Sequence, residues 1–228
     1  MLKIKVAVRL IALFLFSSTV GFFGVSVLND LNRNDQKHLN HASRKAEVIL
    51  DERVYRVSYN EIYEQPNWVE YTVRDIVKKA DRKGLRFRTD PSVHTSDDAD
   101  YYDNPWDRGH MAPAGSFTDS YENLKATFSY TNIALQKDQL NRGEWAALEE
   151  QVRRWAKTRG PVKVRIELLF EKDTIRLPSG ATVPTAFIKR LQFSDGEKRC
   201  YEFLNTDTQT SWENFQMICI PTGLNDRT

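Results

Sequence analysis

Trp106-Asp107-Arg108-Gly109-His110-Met111-Ala112-Pro113-Ala114 is the stretch on which the reading of this 228-residue chain turns. One histidine stands between an Asp-Arg pair and a turn that contains proline. A free imidazole titrates at about 6.5, so it can accept a proton at neutral pH where an ionised lysine cannot. Downstream come Thr131-Asn132-Ile133, then Gln136, then Leu140-Asn141-x-Gly143-x-Trp145-x-x-Leu148-Glu149. A proton acceptor, guanidinium groups and a hard oxygen donor are the parts that hydrolysis of a phosphodiester requires.

Hydrophobic periodicity places these residues on elements. Trp145, Leu148, Val152 and Trp155 recur at three- and four-residue spacing, which predicts a helix with one apolar face from Gly143 or Glu144 to the Gly160-Pro161 stop. Asn141 then lies at or just before its N-terminus. Glu149 follows eight residues later, about 80° round the same helix, so both can look into one cleft. Val54–Tyr59 and Trp68–Val73 alternate as an antiparallel strand pair, with Pro66-Asn67 as the breaker between them. Asp75–Ala80 reads as a brief helix and Thr89-Asp90-Pro91 as a turn. The acidic stretch Asp97, Asp98, Asp100 and Asp103 reads as a loop leading into the motif. Val162–Ile166, Phe187–Lys189 and Tyr201–Phe203 read as further strands, and Leu177-Pro178-Ser179-Gly180 as a turn.

In their order, the motifs from Trp68 to Trp155 resemble those of the DNA/RNA non-specific endonuclease family. The resemblance implies an α+β fold with the ββα-metal active site, a central antiparallel sheet and flanking helices. It implies Mg²⁺-dependent, sequence-nonspecific cleavage of DNA and RNA, with Mn²⁺ as a substitute ion. On this chain His110 becomes the general base and Asn141 the one protein ligand of the metal. Glu149 holds a metal-bound water, and Arg82 neutralises charge developing on the phosphate, with Arg86 as the other candidate for that task. Arg108 touches the phosphate or supports the turn, while Asp107 pairs with a basic neighbour. Asn132 fixes the backbone of the site, and Arg86 and Arg88 contact substrate. Water attack with the leaving O3′ assisted gives 5′-phosphate and 3′-hydroxyl ends. Backbone contacts carry no direct sequence information, so little sequence preference follows. One departure from the family pattern is that Glu167-Leu168-Leu169-Phe170 stands where the family has a Thr-Gly pair. The other is that the chain ends soon after Pro221-Thr222-Gly223-Leu224, so the outer sheet is expected to be altered or shortened.

The net charge of +2 is carried by the N-terminus. Lys3, Lys5 and Arg9 precede an uncharged run from Leu10 to Leu28, and no acid appears before Asp30. A basic start followed by an apolar run reads as an export signal, cleaved or retained as a membrane anchor with the remaining chain outside the cytoplasm. Residues 1–29 are thus expected to form a hydrophobic helix and residues 30–50 a polar linker, with 51–228 as the catalytic domain. Without the three N-terminal cations, residues 30–228 carry one net negative charge. Any polyanion must therefore be held by local clusters. Two clusters exist: Lys78, Lys79, Arg82, Lys83, Arg86 and Arg88; and Arg153, Arg154, Lys157, Arg159, Lys163 and Arg165. Cys200 and Cys219 are close enough in sequence for one disulfide, which export permits, or are two buried thiols. The rival readings are a membrane-tethered nucleic-acid-binding homologue with weakened catalysis and a phosphodiesterase for small nucleotides.

Overall fold

The structure, a computed structural model, describes residues 44–220. The apolar segment 1–29 and most of the expected linker lie outside the described residues.

Seven antiparallel strands form the main sheet: β1 (Val48–Asp51), β2 (Tyr55–Asn60), β3 (Gln65–Val73), β6 (Val162–Leu169), β7 (Ala186–Gln192), β8 (Lys198–Leu204) and β9 (Gln216–Met217), in the order β1-β2-β3-β6-β7-β8-β9. A separate hairpin pairs β4 (Trp106–His110) with β5 (Ile133–Lys137). Three helices complete the described fold: α1 (Tyr121–Ala126), the single turn α2 (Asp138–Leu140) and α3 (Ala146–Arg159). Short 3₁₀ turns link several of these elements.

Strand alternation builds the core. Val69, Tyr71 and Val73 on β3 and Val162, Val164, Ile166 and Leu168 on β6 turn to one face. Phe187 and Leu191 on β7 and Tyr201 and Phe203 on β8 join them in one cluster, together with Trp145, Leu148, Val152 and Ala156 from the helix. Burying each such side chain contributes about 1.5–3 kcal/mol, which is what holds α3 on the sheet. Trp212 and Phe215 cover part of this cluster, and Trp212 N donates to Glu144 Oε2 at 2.6 Å.

The hairpin is fastened by two buried amides. Gln65 Oε1 accepts from Leu135 N at 2.9 Å. Asn205 accepts from Lys137 N at 2.7 Å and donates to Leu135 O at 3.0 Å. These bonds satisfy strand groups of β5 that no neighbouring strand reaches.

Several expectations from the sequence need correction. Pro66 and Asn67 lie inside β3, not between strands, and Tyr59 pairs with Pro66 across a register shift. Pro66 is tolerated because β6 pairs with β3 only from Trp68 onward, so no partner on that side needs its missing N–H. The chain reverses earlier, through Glu61–Glu64, where Glu64 adopts a φ of 55°. Asp75–Ala80 is not helical: Lys79 N and Ala80 N both donate to Thr118 O, so a tertiary acceptor replaces the helical ladder. Glu167–Leu169 continues β6, with Leu168 buried and Glu167 bonded to Arg165 and Arg190. The sheet also begins inside the segment read as linker, since β1 starts at Val48. Cys200 and Cys219 form a disulfide.

Candidate active site

Registry in the hairpin sorts the motif into two faces. Trp106, Arg108 and His110 alternate with Asp107 and Gly109 along β4, opposite Lys137, Leu135 and Ile133 on one side of the count and Gln136 and Ala134 on the other. Gly109 is required by packing: a Cβ there would stand 2.3 Å from Gln136 Oε1. Beyond His110 the chain is pinned by buried Asn132. Its Oδ1 accepts from Ala112 N at 2.7 Å, and its Nδ2 donates to Ala112 O at 2.9 Å and Thr127 O at 3.0 Å.

His110 sits in an aromatic pocket, with ring centroids 5.4 Å from Phe87 and 5.1 Å from Phe128. Its Nε2 is buried and has no hydrogen-bond partner among the described residues. Burial first, and the positive charge of Arg82 second, push the imidazole pKa down to about 3. The ring is therefore neutral at physiological pH and free to take a proton, but so low a pKa makes it a weak base until substrate or a metal changes its surroundings. Part of the residue remains solvent-accessible.

Arg108, on the same face, is held by other groups. Its Nη2 donates to Asp98 Oδ1 at 2.7 Å and its Nε to the Tyr130 hydroxyl at 3.1 Å. The guanidinium lies 4.9 Å from the Tyr101 ring centroid and 5.6 Å from that of Phe87. Tyr130 also donates to Asp98, and this bond, then Arg108, holds the Asp98 carboxyl below its usual range. Arg108 thus ties the acidic turn to the hairpin.

On the opposite face Asp107 takes Arg142 in a two-pronged pair, with Nε at 2.8 Å and Nη2 at 2.6 Å, and also accepts from Asn141 Nδ2 at 2.9 Å. An ionised carboxylate can only accept, so the amide nitrogen must face Asp107. That orientation leaves Asn141 Oδ1 with no protein donor among the hydrogen bonds of the described residues.

Asn141 lies ahead of the long helix, as the apolar spacing implies. The helical path begins at Asp138 and passes through a π-turn, Asn141–Trp145, kinked at Gly143 before α3. Gly143 has non-helical backbone angles (φ −100°, ψ −112°), so the path from Asn141 to Glu149 crosses a break and no single helical period relates the two side chains.

Glu149 is half-buried and faces Lys189 and Arg153. Desolvation raises its pKa; Lys189, Arg153 and the Trp145 side chain oppose that rise. Arg153, one turn further along α3, lies beside Gly115 in the loop that follows His110: a Cβ on Gly115 would stand 3.3 Å from Arg153 Nη1. Phe117, in the same loop, packs edge-on to Tyr71 at 6.0 Å. Tyr71 in turn feels the charges of Glu149 and Arg153. Through this loop the chain that follows His110 packs against the helix that carries Glu149 and Arg153. In the sequence Arg153 stands out only as one member of a basic cluster, and Gln136 only as one residue of the motif. Gln136 is fully buried, opposite Asp107, and neither of its amide atoms has a partner among the described residues. The one signal for Arg153 was its position four residues after Glu149.

The two basic clusters part company. Among the described residues, none of Lys78, Lys79, Arg82, Lys83, Arg86 or Arg88 enters a salt bridge, whereas Arg154 pairs with Glu150, Arg159 with Asp195 and Glu197, and Arg165 with Glu70 and Glu167. The first cluster lies on an extended segment anchored where Ala80, Leu85 and Phe87 pack against Ala114, Leu124 and Phe128. Within it, Arg82 is the cation that acts on His110. The charge of Arg88 bears instead on Glu52 and Tyr55.

Among the described residues no three His, Cys, Asp or Glu side chains converge as a metal cage. Asn141 Oδ1 is a neutral hard donor with an open acceptor position. With the Glu149 carboxyl to bond a coordinated water, it fits a hydrated oxygen-seeking cation and not a closed zinc site.

Residues 35–219 match the family model described as DNA/RNA non-specific endonuclease. Over 196 residues the chain is 31% identical to Nuclease C1 of Cunninghamella echinulata var. echinulata, a match that covers 75% of this chain and 78% of that protein. A 100-residue match to mouse (Mus musculus) mitochondrial nuclease EXOG is 40% identical and covers 42% of this chain; it spans only 27% of the relative's length. A solved structure of the EndoG/EndoGI complex superposes with a TM-score of 0.67 at 27% identity, covering 75% of this chain and 80% of that one. With the ββα arrangement of β4, β5 and α3 and these matches, the chain belongs to the DNA/RNA non-specific endonuclease family.

Proposed function

We propose that this chain is a metal-dependent endonuclease that hydrolyses the phosphodiester backbone of DNA and RNA with little sequence preference. The observation that carries this reading is His110: a neutral imidazole, only partly buried, held in the field of the Arg82 cation. His110 accepts a proton from the attacking water. Arg82 offsets negative charge that builds on the phosphate, and Arg153 lies near enough to Glu149 to contribute to the same field. Asn141 Oδ1 would hold Mg²⁺, or Mn²⁺ in its place, and Glu149 would bond a water of its shell. Once bound, that ion would supply counter-charge for the phosphate and for the leaving O3′. Asp107 keeps the Asn141 amide turned with its oxygen outward. Asn132 holds the backbone just after His110, and Arg108 shapes the wall beside it.

Attack by water with O3′ leaving gives 5′-phosphate and 3′-hydroxyl ends, and no step recruits the 2′-hydroxyl. The cations of residues 78–88, Arg86 among them, enter no salt bridge among the described residues and supply a sequence-independent grip on polynucleotide. Export, with residues 1–29 as signal or membrane anchor, is part of the proposal. The Cys200–Cys219 disulfide supports it, because such bridges persist in oxidising compartments. The test is digestion of single- and double-stranded DNA and RNA in Mg²⁺ with and without EDTA. All four substrates should be cut internally, and EDTA should stop the reaction. Binding without cleavage would support the catalytically weakened homologue instead. Cleavage confined to small nucleotides would support the phosphodiesterase.

A further inference from the structure

A lysine lies in the sheet interior where the strand pattern calls for an apolar residue. Phe187, Lys189 and Leu191 share the core-facing side of β7, and Lys189 is 1% exposed. An ammonium ion in such a place is rare unless a partner compensates for lost hydration. Two features compensate here. The Lys189 Nζ stands 3.5 Å from the Trp145 ring centroid, a cation–π contact, and 4.0 Å from Glu149 Oε1. Nζ has no hydrogen-bond partner among the described residues, nor has the indole Nε1 of Trp145. The other charged or titratable groups that bear on this pair are Arg153 on α3 and Tyr71 on β3.

We propose that Lys189 is a positioning residue: from inside the sheet it fixes the charge and direction of the Glu149 carboxylate, and through Glu149 the hydration shell of the metal. The inference rests on the metal reading given above. Burial lowers the Lys189 pKa to about 8 and Glu149 opposes that shift, so the ammonium persists at neutral pH. Glu149 would otherwise be a carboxylate that burial drives toward its neutral form, and a neutral carboxyl is a poorer acceptor for a coordinated water. Trp145 completes the device. Its ring caps the ammonium, and Phe187 and Phe203 pack against it at 5.4 and 5.6 Å, so the cation has little freedom to move.

The test uses the full chain, Mn²⁺ alone as probe, and electron paramagnetic resonance to count free ion. Wild type, Lys189→Met, Glu149→Gln and the double variant are compared, with thermal unfolding run alongside. Each single change should weaken Mn²⁺ binding on the order of 10–100-fold. The double variant should bind no more weakly than Glu149→Gln. Lys189→Met leaves the Glu149 carboxyl without its buried counter-charge, a change that lowers stability, so the unfolding curve decides whether the variant is folded at the assay temperature. If it does not fold, Lys189→Gln serves in its place. Losses that multiply in the double variant, or unchanged Mn²⁺ affinity in folded Lys189→Met, would overturn the inference while leaving the metal reading intact. Unchanged affinity in Glu149→Gln would overturn the inference and remove Glu149 from the metal's surroundings, leaving Asn141 as its ligand. A wild-type chain that binds no Mn²⁺ would remove the metal reading and this inference with it.

Discussion

The depressed pKa of His110 leads to an acid limb unlike that of an ordinary histidine base. At pH 5.5 an imidazole with the usual pKa of about 6.5 is neutral in about one molecule in eleven, so kcat/KM would fall about tenfold from pH 7.5. With the pKa near 3, His110 is almost wholly neutral at both pH values, and its protonation should reduce kcat/KM by less than about twofold. The chain has four histidines, so the imidazole proton resonances are few. His110→Gln assigns the relevant one, and its shift against pH gives the pKa directly. This NMR titration also separates His110 from Glu149, whose raised pKa can add an acid limb of its own. Stability carries the same signature. The unfolded imidazole takes a proton near pH 6.5 that the folded one refuses until about pH 3, so stability falls as pH drops through that window. The loss is at most about 5 kcal/mol, and smaller to the extent that water reaches the ring. His110→Ala should flatten that part of the stability curve. A His110 resonance that titrates within one unit of pH 6.5 would refute the reasoning, because burial and Arg82 would then not act as described.

Other substitutions test the remaining parts. Arg82→Ala should lower kcat more than it raises KM, by on the order of 10²-fold, while Arg86→Ala mainly weakens binding; the reverse pattern in steady-state kinetics would move the catalytic role to Arg86. Asn141→Ala should abolish cleavage at ordinary Mg²⁺ and recover part of it at high Mg²⁺ or Mn²⁺, and full activity at low Mg²⁺ would exclude Asn141 as the ligand. Gly109→Ala should destabilise the chain by about 1–3 kcal/mol in denaturant unfolding, since a Cβ would collide with Gln136. Cys200→Ser should lower stability by roughly 3 kcal/mol if the bridge acts by restraining the unfolded chain, and an unchanged denaturation midpoint would contradict that.

The sequence was most legible where a period or a turn residue acts locally. Trp145, Leu148 and Val152 marked the buried face of α3, and Gly160 with Pro161 marked its end. Less was legible where distant groups decide. Pro66 looked like a breaker because the place where β6 starts to pair with β3 is not a local property. Asp75–Ala80 looked helical because nothing nearby announces that Thr118 O takes its amides. The Asp107 bond that orients Asn141 joins residues 34 apart, and no spacing rule finds it. Lys189 did leave a trace: it stands in line with Phe187 and Leu191, and a lysine in an apolar row marks a buried charge to be accounted for.

The central claim is that His110 performs the chemistry, and a plasmid time course in Mg²⁺ with DNA affinity measured in parallel tests it most directly. Wild type should nick and linearise supercoiled DNA, whereas folded His110→Ala should be slower by about 10²–10⁴-fold with its affinity for DNA little changed. Near-normal cleavage by folded His110→Ala would contradict the account.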